Sequence, residues 1–278
     1  MMKYSDDRAA MAIHLVSLVA TAATFLAFSC RPTLAGPTAQ INIPSTDARA
    51  LKEVTINISN YVRLSNAPDA GDNIYNVGIV TGLLPWERIR LEAGVDYTTA
   101  GTGSKADAHP FTFNAKLATT ENAVANGMPA FAVGIYNLGT YDKPEIPDGI
   151  STRQNIAYLL AARTLPVIGR LSFGGYCGSE RALATPGNPR HNNRGILASW
   201  DRTIAELSDR LWLGVEYMGG NNANSEVSFA GSWAFSKQIT LMTGLVIYNP
   251  FYRLSPADNG AIPGGKPAIT TQLTINLP

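Results

Sequence analysis

The sequence predicts an all-β protein, an antiparallel transmembrane β-barrel of about 12 strands, and three observations predict it. Segments of about ten residues alternate apolar with small or polar side chains, the period of a sheet with two unlike faces. The connections between them alternate between long, polar, Pro/Gly-rich stretches and tight turns. Tryptophans and tyrosines sort to opposite ends of those segments, as amphipathic rings do at two membrane interfaces.

The clearest unit is the hairpin from Ser225 to Tyr248. Val227, Phe229, Gly231, Trp233 and Phe235 alternate with Ser228, Ala230, Ser232 and Ala234, and after Ser236-Lys237-Gln238 the pattern resumes with Ile239, Leu241, Thr243, Leu245 and Ile247. Upstream segments repeat it. A first strand runs from Val54 to about Tyr61, a second from about Asn73 to Leu83, and a third carries Ile89, Leu91, Ala93, Val95 and Tyr97 on one face. Phe111 to Ala118, Pro129 to Leu138, Arg153 to Arg163, Ile168 to Cys177, Arg194 to Thr203 and Asp209 to Met218 follow, and Ala268 to Leu277 closes the set. Connections after strands 1, 3, 5, 7 and 11 are long and those after 2, 6 and 10 are tight, the arrangement of long outer loops and short periplasmic turns. The turns after strands 4 and 8 run longer than this rule, and the loop after strand 9 runs shorter.

Composition agrees with a sheet in lipid. The chain has 278 residues, 45% of them hydrophobic, and a mean hydropathy near zero. Lipid-facing apolar positions are diluted by lumen-facing polar ones, so no long apolar run marks a barrel. Charged residues make up 15%, against about 25% in an average soluble domain. A net charge of +1 gives no electrostatic basis for nucleic acid as a partner.

One apolar run does occur, Ala9 to Cys30, preceded by Lys3 and Arg8 and followed by Pro32-Thr33-Leu34-Ala35. Small residues at Thr33 and Ala35 suit a signal peptidase, so residues 1–35 are read as a cleaved secretory signal, with a retained membrane anchor as the alternative. Residues 36–52 are expected to form a periplasmic lead-in and 53–278 the barrel, placing the protein in the outer membrane. Cleavage would leave Cys177 as the lone cysteine, which permits no intramolecular disulfide.

Parity within the strands assigns Glu53, Arg90, Glu92, Asp96, Lys116, Arg170, Asp201 and Glu216 to the lumen. An Arg or Lys facing lipid at mid-depth costs about 2–4 kcal/mol, so the inward assignment is a physical demand. These charges are mixed in sign, unlike the single-sign rings of strongly ion-selective pores. Inward Gly94, Gly134, Gly174 and Gly214, with Ala132 and Ala230, are expected to leave room for a narrow passage. Trp86, Trp200 and Trp233 are assigned to the short-turn interface, and Tyr61, Tyr97 and Tyr217 to the long-loop interface.

The sequence offers no catalytic constellation. His109 and His191 both lie in polar loops, and no phosphate-cradling loop, dinucleotide fingerprint or metal-ligand spacing occurs, so no enzyme, cofactor or metal site is expected. Two segments, Met128-Pro129-Ala130-Phe131-Ala132-Val133-Gly134-Ile135-Tyr136-Asn137-Leu138-Gly139-Thr140 and Leu197-Ala198-Ser199-Trp200-Asp201-Arg202, resemble a group of uncharacterised Gram-negative outer-membrane barrels, and more faintly YjbH-type proteins associated with exopolysaccharide. The resemblance implies fold and location and brings no catalytic residues. The chain ends Leu277-Pro278 rather than on the aromatic residue such barrels commonly present to the assembly machinery.

The expected function is a porin-like channel for small hydrophilic solutes, with outer-membrane lipid and the barrel-assembly machinery as partners. The alternative is a non-conducting scaffold whose loops 139–152, 178–193 and 249–267 bind a partner or polysaccharide.

Overall fold

A computed structural model describes residues 38–100, 109–140, 153–183, 192–254 and 262–277. The proposed signal, residues 1–35, lies outside the described residues, as do His191 and parts of the three long loops. Twelve antiparallel strands close into one barrel in which every strand pairs with its sequence neighbours and β1 pairs with β12. In order these are β1 Val54–Arg63, β2 Ile74–Gly82, β3 Ile89–Ala100, β4 Phe111–Thr119, β5 Ala130–Gly139, β6 Ile156–Leu165, β7 Gly169–Cys177, β8 Arg194–Thr203, β9 Leu211–Met218, β10 Glu226–Ala234, β11 Ile239–Tyr248 and β12 Ala268–Leu277. Closure removes the unpaired strand edges that a membrane cannot solvate. The single helix among the described residues, α1, is the short Glu180–Leu183 turn in the connection after β7.

The strands keep the alternation their residues dictate. Val77, Ile79, Phe113, Leu117, Leu159, Phe173, Leu213 and Phe229 stand exposed on the outer face. Thr55, Glu92, Thr112, Lys116, Ser172, Asp201, Glu216, Ser228 and Thr270 are buried on the inner one. A soluble sheet would show the opposite sense. The tight β10–β11 turn is built by its own residues, since Ser236 Oγ accepts the N–H groups of Gln238 and Ile239 at 3.1 Å each.

The inside is narrowed by bulky side chains. Inward Gly134 and Gly214 do not line a passage, because large inward side chains lie over them. A side chain at Gly134 would meet the Tyr158 hydroxyl, and one at Gly214 would meet the Trp212 ring. The space they save is used by Tyr158 and Trp212.

Residues 38–50 occupy the lumen as well. Expected as a lead-in outside the barrel, they instead run up into the lumen and fold back as a hairpin, with Ala39 bridged to Pro44 and the Gln40 N–H bonded to the Ile43 carbonyl at 2.8 Å. The reason is that the inner wall carries more hydrogen-bonding capacity than its own side chains satisfy. The chain passes from the hairpin to β1 over Gly82, where any Cβ would collide with the Ala50 carbonyl, so glycine is required there for close approach.

Candidate functional site: the plugged lumen

At the short-turn half of the lumen, charge meets charge. Glu92 on β3 and Lys116 on β4 are direct cross-strand partners, and their side chains pair at 3.0 Å with 5% exposure each. The Lys116 ammonium also donates to the hairpin carbonyls of Thr38 at 2.7 Å and Ser45 at 3.4 Å. Glu92 in turn accepts the N–H of Arg49 at 2.8 Å. Arg170 and Asp201 face each other across β7 and β8. The Arg170 guanidinium bridges Asp201 at 2.9 Å and the hairpin's Asp47 at 2.5 Å. Asp201 also accepts from the Gln40 amide at 2.9 Å and the Trp212 indole at 3.1 Å, which brings that tryptophan inward. Arg90 donates to the Ala48 carbonyl at 3.0 Å, and Glu53 accepts the Ala50 N–H at 3.0 Å. Below this girdle a cavity of about 190 Å³ is lined by Asp47, Arg90, Thr119, Glu121, Thr164 and Arg170, among others.

The long-loop half is built otherwise. Glu216 on β9 is 1% exposed. Its carboxylate accepts three successive backbone N–H groups from the hairpin tip, Ile41 at 2.9 Å, Asn42 at 2.7 Å and Ile43 at 3.3 Å. The Asn42 amide donates to Glu226 at 2.6 Å and Ser228 at 3.1 Å, and its oxygen accepts the Tyr61 hydroxyl at 2.5 Å. Gln272 donates to the Ile41 carbonyl at 2.9 Å. Ile43, with no exposed surface, packs in one cluster with Ile156, Leu160, Leu197, Met218 and Tyr158. Asp96 stands apart from the hairpin and accepts the Asn114 amide at 2.6 Å.

Of the eight charged residues read as lumen-facing, Glu53, Arg90, Glu92, Lys116, Arg170, Asp201 and Glu216 touch the hairpin or its base, and Asp96 meets Asn114 instead. Glu226, Asn42, Gln40 and Gln272 complete the arrangement. Glu226 shares the parity of Ser228 and Ala230, and it escapes only because it is the first residue of β10, ahead of the alternation read from Val227 onward. The hairpin side chains escape because Gln40-Ile41-Asn42-Ile43 alternates like a strand yet lies before the first one.

The interface aromatics divide. Trp86 is exposed in the β2–β3 turn and Trp233 on the outer face. The Trp200 indole donates to the Ile168 carbonyl at 2.7 Å. Tyr97 packs edge-on against Phe111 and Tyr217 against Phe251, on the outside at the long-loop end. Tyr61 is a correction. It shares the face of Thr55 and Asn57 and turns inward to the hairpin, because strand parity outranks height along the barrel in deciding which solvent a ring meets.

The fold defines the class, a closed antiparallel barrel with an apolar exterior and a polar, internally plugged lumen. No family model matches the chain, and no curated protein does. Among solved structures it is similar to the COG4313 outer membrane channel from Pseudomonas putida F1, at 11% identity and a TM-score of 0.48, covering 87% of this chain and 100% of that one. It is also similar to a Rhodopseudomonas blastica porin, at 6% identity and 0.38 over 81% of this chain and 99% of that one. A third likeness is to outer membrane phospholipase A from Escherichia coli, at 9% and 0.39, over 82% and 92%.

Proposed function

We propose that the protein is an outer-membrane channel for small hydrophilic solutes, held closed by its own N-terminal hairpin. One observation carries this reading: the occupant of the polar lumen is a chain segment outside the barrel's ladders, attached to the wall by hydrogen bonds and ion pairs. Among the described residues before β1, Leu51 alone bridges the sheet as a strand would, to Gly82. Groups such as Glu216, Gln272 and Arg90 would be rehydrated if water replaced the hairpin, and the packing of Ile43 against Ile156, Leu160 and Leu197 is the apolar contact that opposes its release. Strands of 8 to 12 residues suit a tilted span of the hydrocarbon layer, and the exposed apolar belt supplies the face for outer-membrane lipid. Export by the signal and insertion by the barrel-assembly machinery belong to the same reading.

The test is single-channel recording of the purified full-length protein in planar bilayers, beside Ile43→Ser. The wild type should open rarely and briefly, and loosening the buried tip should raise the open probability severalfold. Absence of conductance in both, with each protein running as a folded, heat-modifiable band, overturns the channel and leaves the scaffold reading, in which the loops bind a partner or the polysaccharide that the YjbH-type likeness suggests.

A further inference from the structure

Glu216 and Glu226 sit diagonally on neighbouring strands, 1% and 4% exposed, and Asn42 bonds to both, through its N–H and its side-chain amide. Among the described residues neither forms an ion pair. Two carboxylates taken out of water together are costly unless donors or a cation face them. What faces them is the hairpin tip: the N–H groups of Ile41, Asn42 and Ile43 converge on Glu216, and the Asn42 amide reaches Glu226. Several N–H donors clustered against carboxylate oxygens are what an ammonium group presents.

The walls of this half are independent of those acids and point the same way. Tyr61, Tyr136, Tyr158, Tyr176 and Tyr248 all turn inward at the long-loop end. The Tyr136 and Tyr158 rings lie 5.9 Å apart. The Tyr61 hydroxyl donates to the same Asn42 amide group that meets Glu226. Tyr248 already carries a cation on its face, the Arg63 guanidinium 4.5 Å from the ring centroid. Tyrosine faces beside carboxylates attract cations that also bear C–H surface. No group of three or more His, Cys, Asp or Glu among the described residues could hold a metal ion.

The occupant is anchored at one end. Both limbs of the hairpin are held in the short-turn half, where Thr38 and Ser45 meet Lys116 and Ala48 meets Arg90. Beyond Leu51 the chain kinks at Lys52, whose φ of 67° is a conformation side chains rarely adopt. The tip can leave the two carboxylates while the short-turn contacts and the bridge to Gly82 stay in place.

We propose that the long-loop half of the lumen is a binding site for small organic ammonium ions, and that the hairpin tip is its resident occupant and gives way when such a solute enters. This rests on the channel reading and names its solute class. The site recognises the cation by two carboxylates and aromatic faces, and the tip competes for the same oxygens.

Hydrogen exchange of the full-length protein tests it with a readout that needs no conduction. Putrescine should speed exchange of the Ile41, Asn42 and Ile43 amides about tenfold, a 1.4 kcal/mol shift in the opening equilibrium, while sodium chloride at equal ionic strength and the dianion glutarate should not. Glu216→Gln with Glu226→Gln should abolish the response, and Glu226→Gln alone, the milder change, should weaken it, each checked for the folded, heat-modifiable band. Exchange unmoved by putrescine, or moved equally by glutarate, overturns the ammonium site. If the Ile43→Ser protein conducts while putrescine has no effect, the channel stands and the solute class falls. If putrescine acts and nothing conducts, the site stands as a receptor in a non-conducting barrel.

Discussion

The two halves of the lumen hold the same hairpin by opposite means. In the short-turn half fixed charges are matched in place, Lys116 with Glu92 and Arg170 between Asp47 and Asp201. In the long-loop half two carboxylates are met by neutral donors, the N–H groups of the hairpin tip and the Asn42 amide. The difference is one of replaceability. A buried charge that loses its counter-charge has no cheap substitute, whereas water or a solute can replace a neutral donor on a carboxylate. The short-turn half is therefore the part that fixes the hairpin's register, and the long-loop half is the part that can let go.

Breaking the matched half should have the largest effect. Lys116→Met strands Glu92 and should cost about 3–5 kcal/mol, read as a lower midpoint for urea unfolding in detergent. Pairing it with Glu92→Leu should recover most of the loss, and a double variant as unstable as the single one would show that the pair is not acting as a unit.

The contrast between wall and exterior comes next. Phe229→Arg or Leu91→Arg puts a guanidinium on the outer face at a cost of about 2–4 kcal/mol at mid-depth, measured as folded yield in liposomes. Thr274→Arg, on the lumen side, should lose much less. Equal losses would mean that the outer face does not meet hydrocarbon.

Within the releasable half the effects shrink. Asn42→Ala leaves the Tyr61 hydroxyl without its acceptor and should cost about 1–3 kcal/mol of hairpin docking, seen as faster exchange of the amides of residues 41–43 with global unfolding unchanged. Ile43→Val should cost about 0.5–1.5 kcal/mol in the same assay. A matching fall in global stability would tie the hairpin to the barrel's folding and erase the distinction between the halves.

The smallest effect lies outside the lumen. Asp69 and Lys266 join the β1–β2 and β11–β12 loops at 2.7 Å. The hydrogen bond from Lys266 holds the exposed Asp69 carboxyl below its ordinary value. A depressed carboxyl contributes above its unfolded pKa and loses that contribution as pH falls through the folded one. Asp69→Asn should therefore shift thermal unfolding slightly at pH 7 and not at all near pH 2. A large shift at neutral pH would give this loop pair a weight that exposed ion pairs do not carry.

The sequence by itself determined the barrel: its strands, their order and the face each residue takes. Period-two alternation is local, and a sheet between lipid and a polar lumen leaves each position one choice. Leu91 and Phe229 had to face out, and Arg90, Glu92 and Lys116 had to face in. Height along the barrel was legible too: Trp86, Trp233 and Tyr97 stand exposed, whereas Tyr61, read by height without parity, turns inward to Asn42. Only the tertiary structure decided what fills the lumen. Glu92 and Lys116, or Asp201, Arg170 and Asp47, meet through the register of two ladders and the path of a separate segment, and no local pattern encodes that path. Residues 38–50 read like any short polar stretch until the barrel closes around them. Closure turns wall carboxylates such as Glu216 into acceptors shielded from water, and the nearest chain with N–H groups to offer is the hairpin that precedes β1.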